Sequence, residues 1–383
     1  MQILALVLFI AAAFDFAYVY VLYPLFLIVL GRVRRRPTPE PPTDAELPSV
    51  SVLIPAYNEE KIIRRKLETT LALDYPPNKV EITVVSDRSS DATDEIVTGF
   101  GDPRIRFIRN EEQKGKITTV SELAPRTEAD IILITDANAI FDPGALRKVA
   151  AHFRDPKVGI VNGNKVLRRT DTMVGEGEGI YWIYETALKK ADSDVFSNAF
   201  ITGAMTAIRR ELFMPIPGYL EFDHVLPLHV VNKGYRVIFE PEARFYEETA
   251  PSSKAEWKVR VRNAVRGFTM VLTMDRYLDA GLHPWFTWHV YSRKVMRWLM
   301  LIPQIILLLA NPFLLYLPLF KLIFAAQCLF YAMAVLGWLL DRAGIRQNIL
   351  ALPFYFCLVN AASLAGFINA LRGRRLSVWQ TGR

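Results

Sequence analysis

The sequence predicts an α/β domain with a mostly parallel sheet, combined with α-helices that span a membrane. Three observations lead to this prediction. The 383 residues are 51% hydrophobic, which is high for a soluble enzyme. Between residues 49 and 253, short apolar runs alternate with helical periodicity, as in parallel sheets that carry helices on their faces. Apolar stretches of about 20 residues, the length that crosses a bilayer, lie near both ends of the chain.

The elements of the α/β domain follow in order. A continuous apolar run predicts a strand at residues 50–55, and further strands are expected at residues 80–86, 104–108, 131–135 and 158–162. Helical periodicity predicts helices at residues 59–73, 90–100 and 115–123. A further helix is expected to end at Phe153, with Asp142 as its N-cap and Pro143 in its first turn.

Four apolar stretches are long enough to cross a bilayer, at residues 1–31, 298–320, 322–340 and 347–371. The first is expected to be an uncleaved anchor, because arginines follow it between residues 32 and 36 and no basic residue precedes it. The positive-inside rule then places residues 32–297 in the cytoplasm, below the inner (plasma) membrane of the cell. The last three stretches, within residues 298–371, are followed by a basic tail, residues 372–383. The side of the C-terminus stays open.

Two segments connect the predicted spans to the domain. Residues 32–48 are basic and proline-rich and are interpreted as a linker. Residues 254–297 hold nine basic and three acidic side chains, and their apolar residues recur at helical spacing. This pattern predicts amphipathic helices that lie on the membrane surface.

The distribution of charge and cysteine excludes several classes of protein. Residues 37–253 hold 26 basic and 34 acidic side chains, although the whole chain has a net charge of +7. A nucleic-acid-binding protein carries its positive charge on the folded domain, so no nucleic-acid partner is expected, and membrane lipids are. The chain has two cysteines, Cys328 and Cys357, too few for a disulfide scaffold or a cysteine-based zinc site, and both lie in apolar stretches.

Polar residues follow the predicted strands, where ligands of open α/β sheets bind. Tyr57 follows the first strand, Asp87 the second, Lys116 the third and Asp136 the fourth. Neither GxGxxG nor GxxxxGK[ST] occurs at the first strand, which excludes a dinucleotide fingerprint and a P-loop. An aromatic ring can stack on a base, and a lysine with a carboxylate-held cation can neutralise a diphosphate.

The chain resembles the membrane-bound family-2-type nucleotide-sugar glycosyltransferases, which include cellulose, chitin-oligomer and hyaluronan synthases. Six segments carry the resemblance in order: VSVLIPAYNEE, ITVVSDRSSDAT, KGK, ITDAN, ITGAMTAIRRE and EFDHVLPLHVVNKGYRVIFEPEA. The resemblance covers residues 49–270. It implies a GT-A fold, inversion at the anomeric carbon and a nucleotide diphosphate-sugar donor. A UDP-sugar is favoured over a GDP-sugar, and both stay open.

The resemblance also implies which residues bind the donor. The base-binding loop is matched by Pro55, Tyr57 and Glu59, and the carboxylate that contacts the nucleoside by Asp87. The basic residue near base and phosphate is matched by Lys116, the first acid of the DxD motif by Asp136, and the arginine that grips the diphosphate by Arg266. Asp136 and Asn138 are the implied ligands of Mg²⁺ or Mn²⁺. Because an amide replaces the second acid of the motif, its oxygen would bind the metal less strongly than a carboxylate.

The remaining implied residues belong to catalysis and to the acceptor. Asp223 matches the catalytic base, and Gly203 lies in the segment that lines the acceptor pocket. His224, next to the base, is either structural or a contact of the acceptor. The QxxRW motif of polymerising members reads NAVRG at residues 263–267, so the tryptophan that stacks on the acceptor sugar is missing. Trp257 or Phe268 could substitute for it.

The predicted function is therefore an integral-membrane inverting glycosyltransferase that acts on a membrane-associated glycan or lipid-linked acceptor. The missing tryptophan predicts that it adds one or few sugars per encounter, or polymerises only with partner subunits. One alternative is a lipid glycosyltransferase that adds a single sugar to a polyprenyl phosphate or a glycolipid. A more distant one is an inactive nucleotide sensor, against which the retention of Asp136 and Asp223 argues. A transporter is disfavoured, because four spans with one internal acid make a poor transport path.

Overall fold

The computed structural model of the protein describes residues 1–168 and 172–375, so the predicted basic tail lies outside it beyond residue 375. The strands of the domain are β1 Val50–Ala56, β2 Val80–Ser86, β3 Ile105–Arg109, β4 Ile131–Thr135, β5 Ile140–Phe141, β6 Val158–Arg168, β7 Met205–Arg209 and β8 Arg236–Glu248. The helices are α1 Gln2–Ala17, α2 Tyr23–Val33, α3 Ile63–Leu71, α4 Thr93–Thr98, α5 Lys116–Leu123, α6 Ala145–Ala151, α7 Met173–Val195, α8 Phe222–Asn232, α9 Ser253–Val271, α10 Pro284–Val290, α11 Met296–Trp298, α12 Leu301–Ala310, α13 Pro318–Arg342 and α14 Asn348–Leu371.

The strands form one sheet in the order β3-β2-β1-β4-β7-β6-β8-β5. The first four are parallel, with Val50 of β1 opposite Val80 of β2 and Ile131 of β4. Strand β7 runs antiparallel to both of its neighbours, β4 and β6, so the sheet is mixed. The predicted strands include the whole parallel half of the sheet. Strand β7, at which the strand direction reverses, was not predicted from the sequence.

The core lies on both faces of this sheet, because successive side chains of a strand point to opposite faces. In β1, Val52 and Ile54 pack into one buried cluster and Leu53 into the other. In β4, Leu133 joins the first cluster and Ile132 the second. Both strands are therefore buried on two faces, which explains their continuous apolar sequence.

The predicted N-cap of the helix after β5 is wrong. Helix α6 begins at Ala145 and its N-cap is Gly144, not Asp142. The backbone N–H of Asp142 donates to the carbonyl of Arg244 (3.0 Å), so Asp142 still belongs to the pairing of β5 with β8. The helix can therefore begin only after Pro143.

Within the described residues, three helical segments are long and apolar enough to cross a membrane: Gln2–Val33, Pro318–Arg342 and Asn348–Leu371. The predicted span at residues 298–320 is not one straight helix. Its first part belongs to a pair of helical segments, Pro284–Trp298 and Leu301–Leu314, that are bent by 58°, and its last three residues begin α13. Pro303, Pro312 and Pro318 divide this stretch, since proline interrupts helical hydrogen bonding.

Helix α9, within the segment predicted to lie on the membrane surface, packs along α14. Its Arg260 donates to the Tyr355 hydroxyl (2.6 Å), and that hydroxyl donates to Glu256 (3.1 Å). A Cβ on Gly366 of α14 would collide with Ala264, so the two backbones approach closely. Basic residues of α9 thus point toward the interior of the protein, although Trp257 and Lys258 stay exposed.

Candidate active site

A cavity of about 1900 Å³ lies beyond the carboxyl ends of β1 and β4. It extends from Asn58 and Glu59, after β1, to Tyr20 and Asn360 of the apolar helices. Several residues predicted from the sequence line it together: Glu59, Lys116, Asp136, Asn138, Gly203, Asp223, His224 and Arg266. Pro55, Tyr57 and Asp87 are not among the described residues that line the cavity.

Lys116 and Asp136 form an ion pair at the strand ends. Lys116 is the first residue of α5, and Gly115 before it adopts φ +83°, a conformation that favours glycine. Burial alone would lower the pKa of Lys116, but attraction to Asp136 and Asp223 outweighs burial and raises that pKa. A protonated lysine therefore faces the cavity.

Asp87 holds the loop that presents Lys116. Its carboxylate is buried and accepts from the backbone N–H groups of Lys114 (2.9 Å) and Gly115 (2.8 Å), and from Asn110 (2.8 Å). The predicted contact of Asp87 with a nucleoside stays a prediction. In this structure its two oxygens fix the turn before α5.

Asp223 sits against Gly203, beside Lys116. A Cβ on Gly203 would lie 2.6 Å from the Asp223 Oδ1 atom and 3.3 Å from the Lys116 Nζ atom, so only glycine leaves room for both groups. Burial, together with the nearby charge of Glu221, raises the pKa of Asp223 to about 7. A carboxylate with such a pKa accepts a proton more readily than an ordinary aspartate at neutral pH.

Arg266 and Glu221 form a second ion pair on the cavity wall. Glu221 is the N-cap of α8, and Arg266 belongs to α9 and is buried. The predicted grip of Arg266 on a diphosphate stays a prediction, because in this structure its partner is Glu221.

His224 packs between two aromatic rings. Its centroid lies 5.2 Å from that of Phe200 and 5.7 Å from that of Trp298. Burial lowers the pKa of His224 to about 4, so the ring is neutral at pH 7. Its predicted contact with the acceptor is not tested by this packing.

Trp298 lines the cavity as well, although no sequence motif pointed to it. Of the two proposed substitutes for the missing tryptophan, Phe268 is buried and packs on Phe367 (4.8 Å between centroids). Trp257 lines the cavity and is 38% exposed. Trp298 comes from the end of α11, about 30 residues after the NAVRG segment, so local spacing could not have identified it.

The residues present fit a divalent cation that is shared with a ligand. Among residues 1–168 and 172–375, no group of three His, Cys, Asp or Glu side chains could hold a metal alone. Asp136 and Asn138 line the cavity two positions apart and offer a carboxylate and an amide oxygen. Mg²⁺ is usually held by one or two carboxylates together with substrate phosphates, and oxygen ligands also suit Mn²⁺.

Comparisons with known proteins agree with this geometry. The family model described as glycosyltransferase like family 2 matches residues 48–269. The probable glycosyltransferase YdaM of Bacillus subtilis (strain 168) is 33% identical over 230 residues, which cover 57% of this chain and 54% of that protein. The poly-beta-1,6-N-acetyl-D-glucosamine synthase of Staphylococcus aureus (strain COL) is 28% identical over 235 residues, 59% and 56% of the two chains. The chain thus matches about half the length of these curated relatives.

One solved structure is similar over nearly the whole chain. It is the mannosyltransferase PcManGT from Pyrobaculum calidifontis in complex with GDP-Man and Mn²⁺, with a TM-score of 0.67 and 22% sequence identity. The likeness covers 98% of this chain and 99% of that one. It confirms the predicted GT-A fold.

Proposed function

The chain belongs to glycosyltransferase like family 2, and we propose that it transfers a sugar, with inversion, from a nucleotide diphosphate-sugar to a membrane-associated acceptor. The observation that carries this proposal is the position of Asp223, beside Gly203 and Lys116 in the same cavity as Asp136. A base and a phosphate-binding lysine at one site are what sugar transfer from a diphosphate requires. Retention of both carboxylates argues against an inactive nucleotide sensor.

In the proposed reaction, Asp223 takes the proton of an acceptor hydroxyl. The hydroxyl oxygen forms a bond to the anomeric carbon while the bond from that carbon to the diphosphate breaks on the opposite face. General-base action of this kind contributes about 10²–10⁴-fold. Because the pKa of Asp223 is raised to about 7, the carboxylate is a stronger base than an ordinary aspartate.

The leaving diphosphate needs positive charge beside it. Lys116 supplies it from the start of α5, and Arg266 is the second proposed source. A Mg²⁺ or Mn²⁺ ion held by Asp136 and Asn138 would add further positive charge when bound. We infer a UDP-sugar donor from the sequence resemblance. A GDP-sugar is the alternative, since the mannosyltransferase of similar fold is in complex with GDP-Man.

We further propose that the apolar helices anchor the enzyme in the inner (plasma) membrane with its catalytic domain in the cytoplasm. The segments Gln2–Val33, Pro318–Arg342 and Asn348–Leu371 supply the length and the apolar composition. The four arginines between residues 32 and 36 favour the cytoplasmic side. The cavity reaches Tyr20 and Asn360 of these helices, which supports an acceptor that resides in the membrane.

A donor screen on the purified full-length chain tests the proposed function. UDP-N-acetylglucosamine, UDP-glucose and GDP-mannose are supplied in turn with membrane lipid extract, and nucleotide release and product mass are measured. We expect sugar-dependent release from one donor, and a loss of about 10²-fold or more in Asp223→Asn with donor binding retained. Asp102→Asn, which changes a carboxylate paired with Arg104 away from the cavity, is the matched control. Unchanged transfer in Asp223→Asn would remove this residue as the base.

A further inference from the structure

A cluster of positive charge lines the cavity on the side of Asp223. We call it the cationic wall and define it as Lys189 of α7 with Lys294 and Arg297. The carboxylate that lines the cavity beside them is Glu185, which pairs with Lys294 (3.3 Å) and Arg297 (3.1 Å). Glu185 also pairs with the buried Arg293 (2.9 Å), which has a second carboxylate partner in Asp192 (3.1 Å).

Lys189 has no carboxylate of its own. Lys189 is only 4% exposed, and its Nζ atom donates to the Thr202 hydroxyl (2.5 Å). Among the described residues, no Asp or Glu lies within ion-pair distance of it. Burial lowers the pKa of Lys189 to about 7, and an anion bound beside it would raise that pKa again.

The cationic wall lies next to the reacting groups but apart from the site assigned to the donor. Thr202, the partner of Lys189, precedes Gly203, which abuts Asp223. Lys116 is attracted by both Asp136 and Asp223, whereas the carboxylates that attract Lys189 are those of Glu185 and Asp223. The two lysines therefore have different partners in the cavity, Asp136 for Lys116 and the Thr202 hydroxyl for Lys189.

An apolar section of the cavity wall lies open to the outside. Ile180 of α7 and Leu352 of α14 both line the cavity and are 41% and 51% exposed. One turn further along α7, Ile183 is 68% exposed. Helices α7 and α14 pack closely here, because a Cβ on Gly177 would collide with Tyr355. A hydrocarbon chain could leave the cavity along this surface.

We propose that the cationic wall binds the phosphate of a lipid-linked acceptor, whose hydrocarbon chain leaves the cavity beside Ile180 and Leu352. Burial also lowers the pKa of Lys294 to about 7, so a bound anion would favour the protonated form of both lysines; the three cations then outnumber the Glu185 carboxylate, and the wall offers net positive charge to a phosphate. This inference rests on the proposed function and names its acceptor class.

Lipid binding measured without any donor tests the inference separately from sugar transfer. The full-length chain in detergent is titrated with a long-chain polyprenyl monophosphate, with the uncharged polyprenol of the same chain length, and with inorganic phosphate. We expect the lipid phosphate to bind at least about tenfold more tightly than the polyprenol, because only the phosphate can accept a hydrogen bond from the cationic wall. Inorganic phosphate should bind far more weakly than the lipid phosphate.

Two variants and one control assign the effect to the wall. Lys189→Met should weaken binding of the lipid phosphate about tenfold or more and leave binding of UDP and GDP unchanged. Lys190→Met is the matched control, because Lys190 pairs with Asp194 (2.6 Å) and does not line the cavity. Lys294→Met repeats the test at a less buried position, and thermal unfolding verifies that each variant is folded.

Four results would overturn the inference. The first is equal affinity for the lipid phosphate and the polyprenol. The second is lipid binding that Lys189→Met and Lys294→Met leave intact. The third is a loss of nucleotide affinity in these variants, which would assign the wall to the donor. The fourth is inorganic phosphate that binds as tightly as the lipid phosphate. Failure of the donor screen with lipid binding retained would instead count against the proposed function alone.

Discussion

The ring of Trp298 occupies the space beside the backbone of Gly267. A Cβ on Gly267 would collide with the six-membered ring of Trp298, and two further ring atoms would lie at 2.9 and 3.0 Å. The ring also contacts His224 and Phe268, at centroid distances of 5.7 and 5.3 Å. An aromatic side chain therefore stands next to the position where the QxxRW motif would have its tryptophan, but it belongs to another helix.

This relationship predicts that Gly267→Ala destabilises the protein. Alanine normally stabilises a helix by about 0.5–1 kcal/mol relative to glycine. Here the collision with Trp298 should outweigh that gain and cost about 1–3 kcal/mol, measured as a lower melting temperature. Gly144→Ala, at a position with open space around it, is the control.

A double variant isolates the cause. In Gly267→Ala with Trp298→Ala, the added methyl group has room, so the effect of Gly267→Ala should shrink or change sign when measured against Trp298→Ala alone. An equal cost in both backgrounds would show that Trp298 is not the obstacle.

A second prediction concerns the divalent cation. Asn138→Asp restores a second carboxylate at the position predicted to hold the metal, so Mn²⁺-dependent binding of nucleoside diphosphate should tighten. Asp136→Asn should weaken that binding about tenfold or more, because it removes the charged oxygen ligand. Isothermal titration of UDP and GDP with Mn²⁺ and with EDTA measures both effects.

The control for this titration is Asp102→Asn, which changes a carboxylate that pairs with Arg104 instead. The predicted metal site would be wrong if Asp136→Asn bound nucleotide as tightly as the unchanged protein does in the presence of Mn²⁺.

Local sequence predicted the parallel half of the sheet, because strands such as Val50–Ala56 and Ile131–Thr135 are nearly continuous apolar runs that are followed by polar residues. The rule that ligands bind at strand ends also predicted that Lys116 and Asp136 lie together at one edge of the sheet. The place of Trp298 beside Gly267, and of Lys189 near Asp223, depends on contacts between residues far apart in sequence. No periodicity encodes such contacts, so they are apparent only in the folded chain.

A third prediction concerns membrane topology, which follows from the directions of the helices. Phe9 of α1 packs on Phe320 of α13 (5.1 Å between centroids), and Phe356 packs on both Phe16 and Phe330 (6.4 and 5.8 Å). Helices α1 and α13 therefore run in the same direction, and their C-terminal ends belong on the same side of the membrane. We therefore predict that the bent pair of segments before α13 crosses the membrane and does not return within it.

Cysteine labelling with a membrane-impermeant maleimide measures this arrangement in a variant whose Cys328 and Cys357 are replaced by serine. Arg34→Cys and Ile345→Cys should stay unlabelled from outside intact cells, whereas Leu317→Cys, at the other end of α13, should be labelled. Labelling of Ile345→Cys from outside would indicate that the bent pair is re-entrant. Permeabilised cells, in which all three should react, provide the control.

The last prediction concerns pH. Burial and the charge of Glu221 raise the pKa of Asp223 to about 7, and a base acts only in its ionised form. The rate of transfer should therefore be constant above about pH 7 and fall as the pH drops through that value. Glu221→Gln removes the neighbouring negative charge and releases Arg266 from its ion pair, and both changes favour the ionised carboxylate. The acid limb of the pH–rate profile should consequently move to lower pH in this variant. Glu211→Gln, which removes a carboxylate that does not line the cavity, should leave the limb where it was. A limb that stays at the same pH in Glu221→Gln would mean that the titrating group is not Asp223.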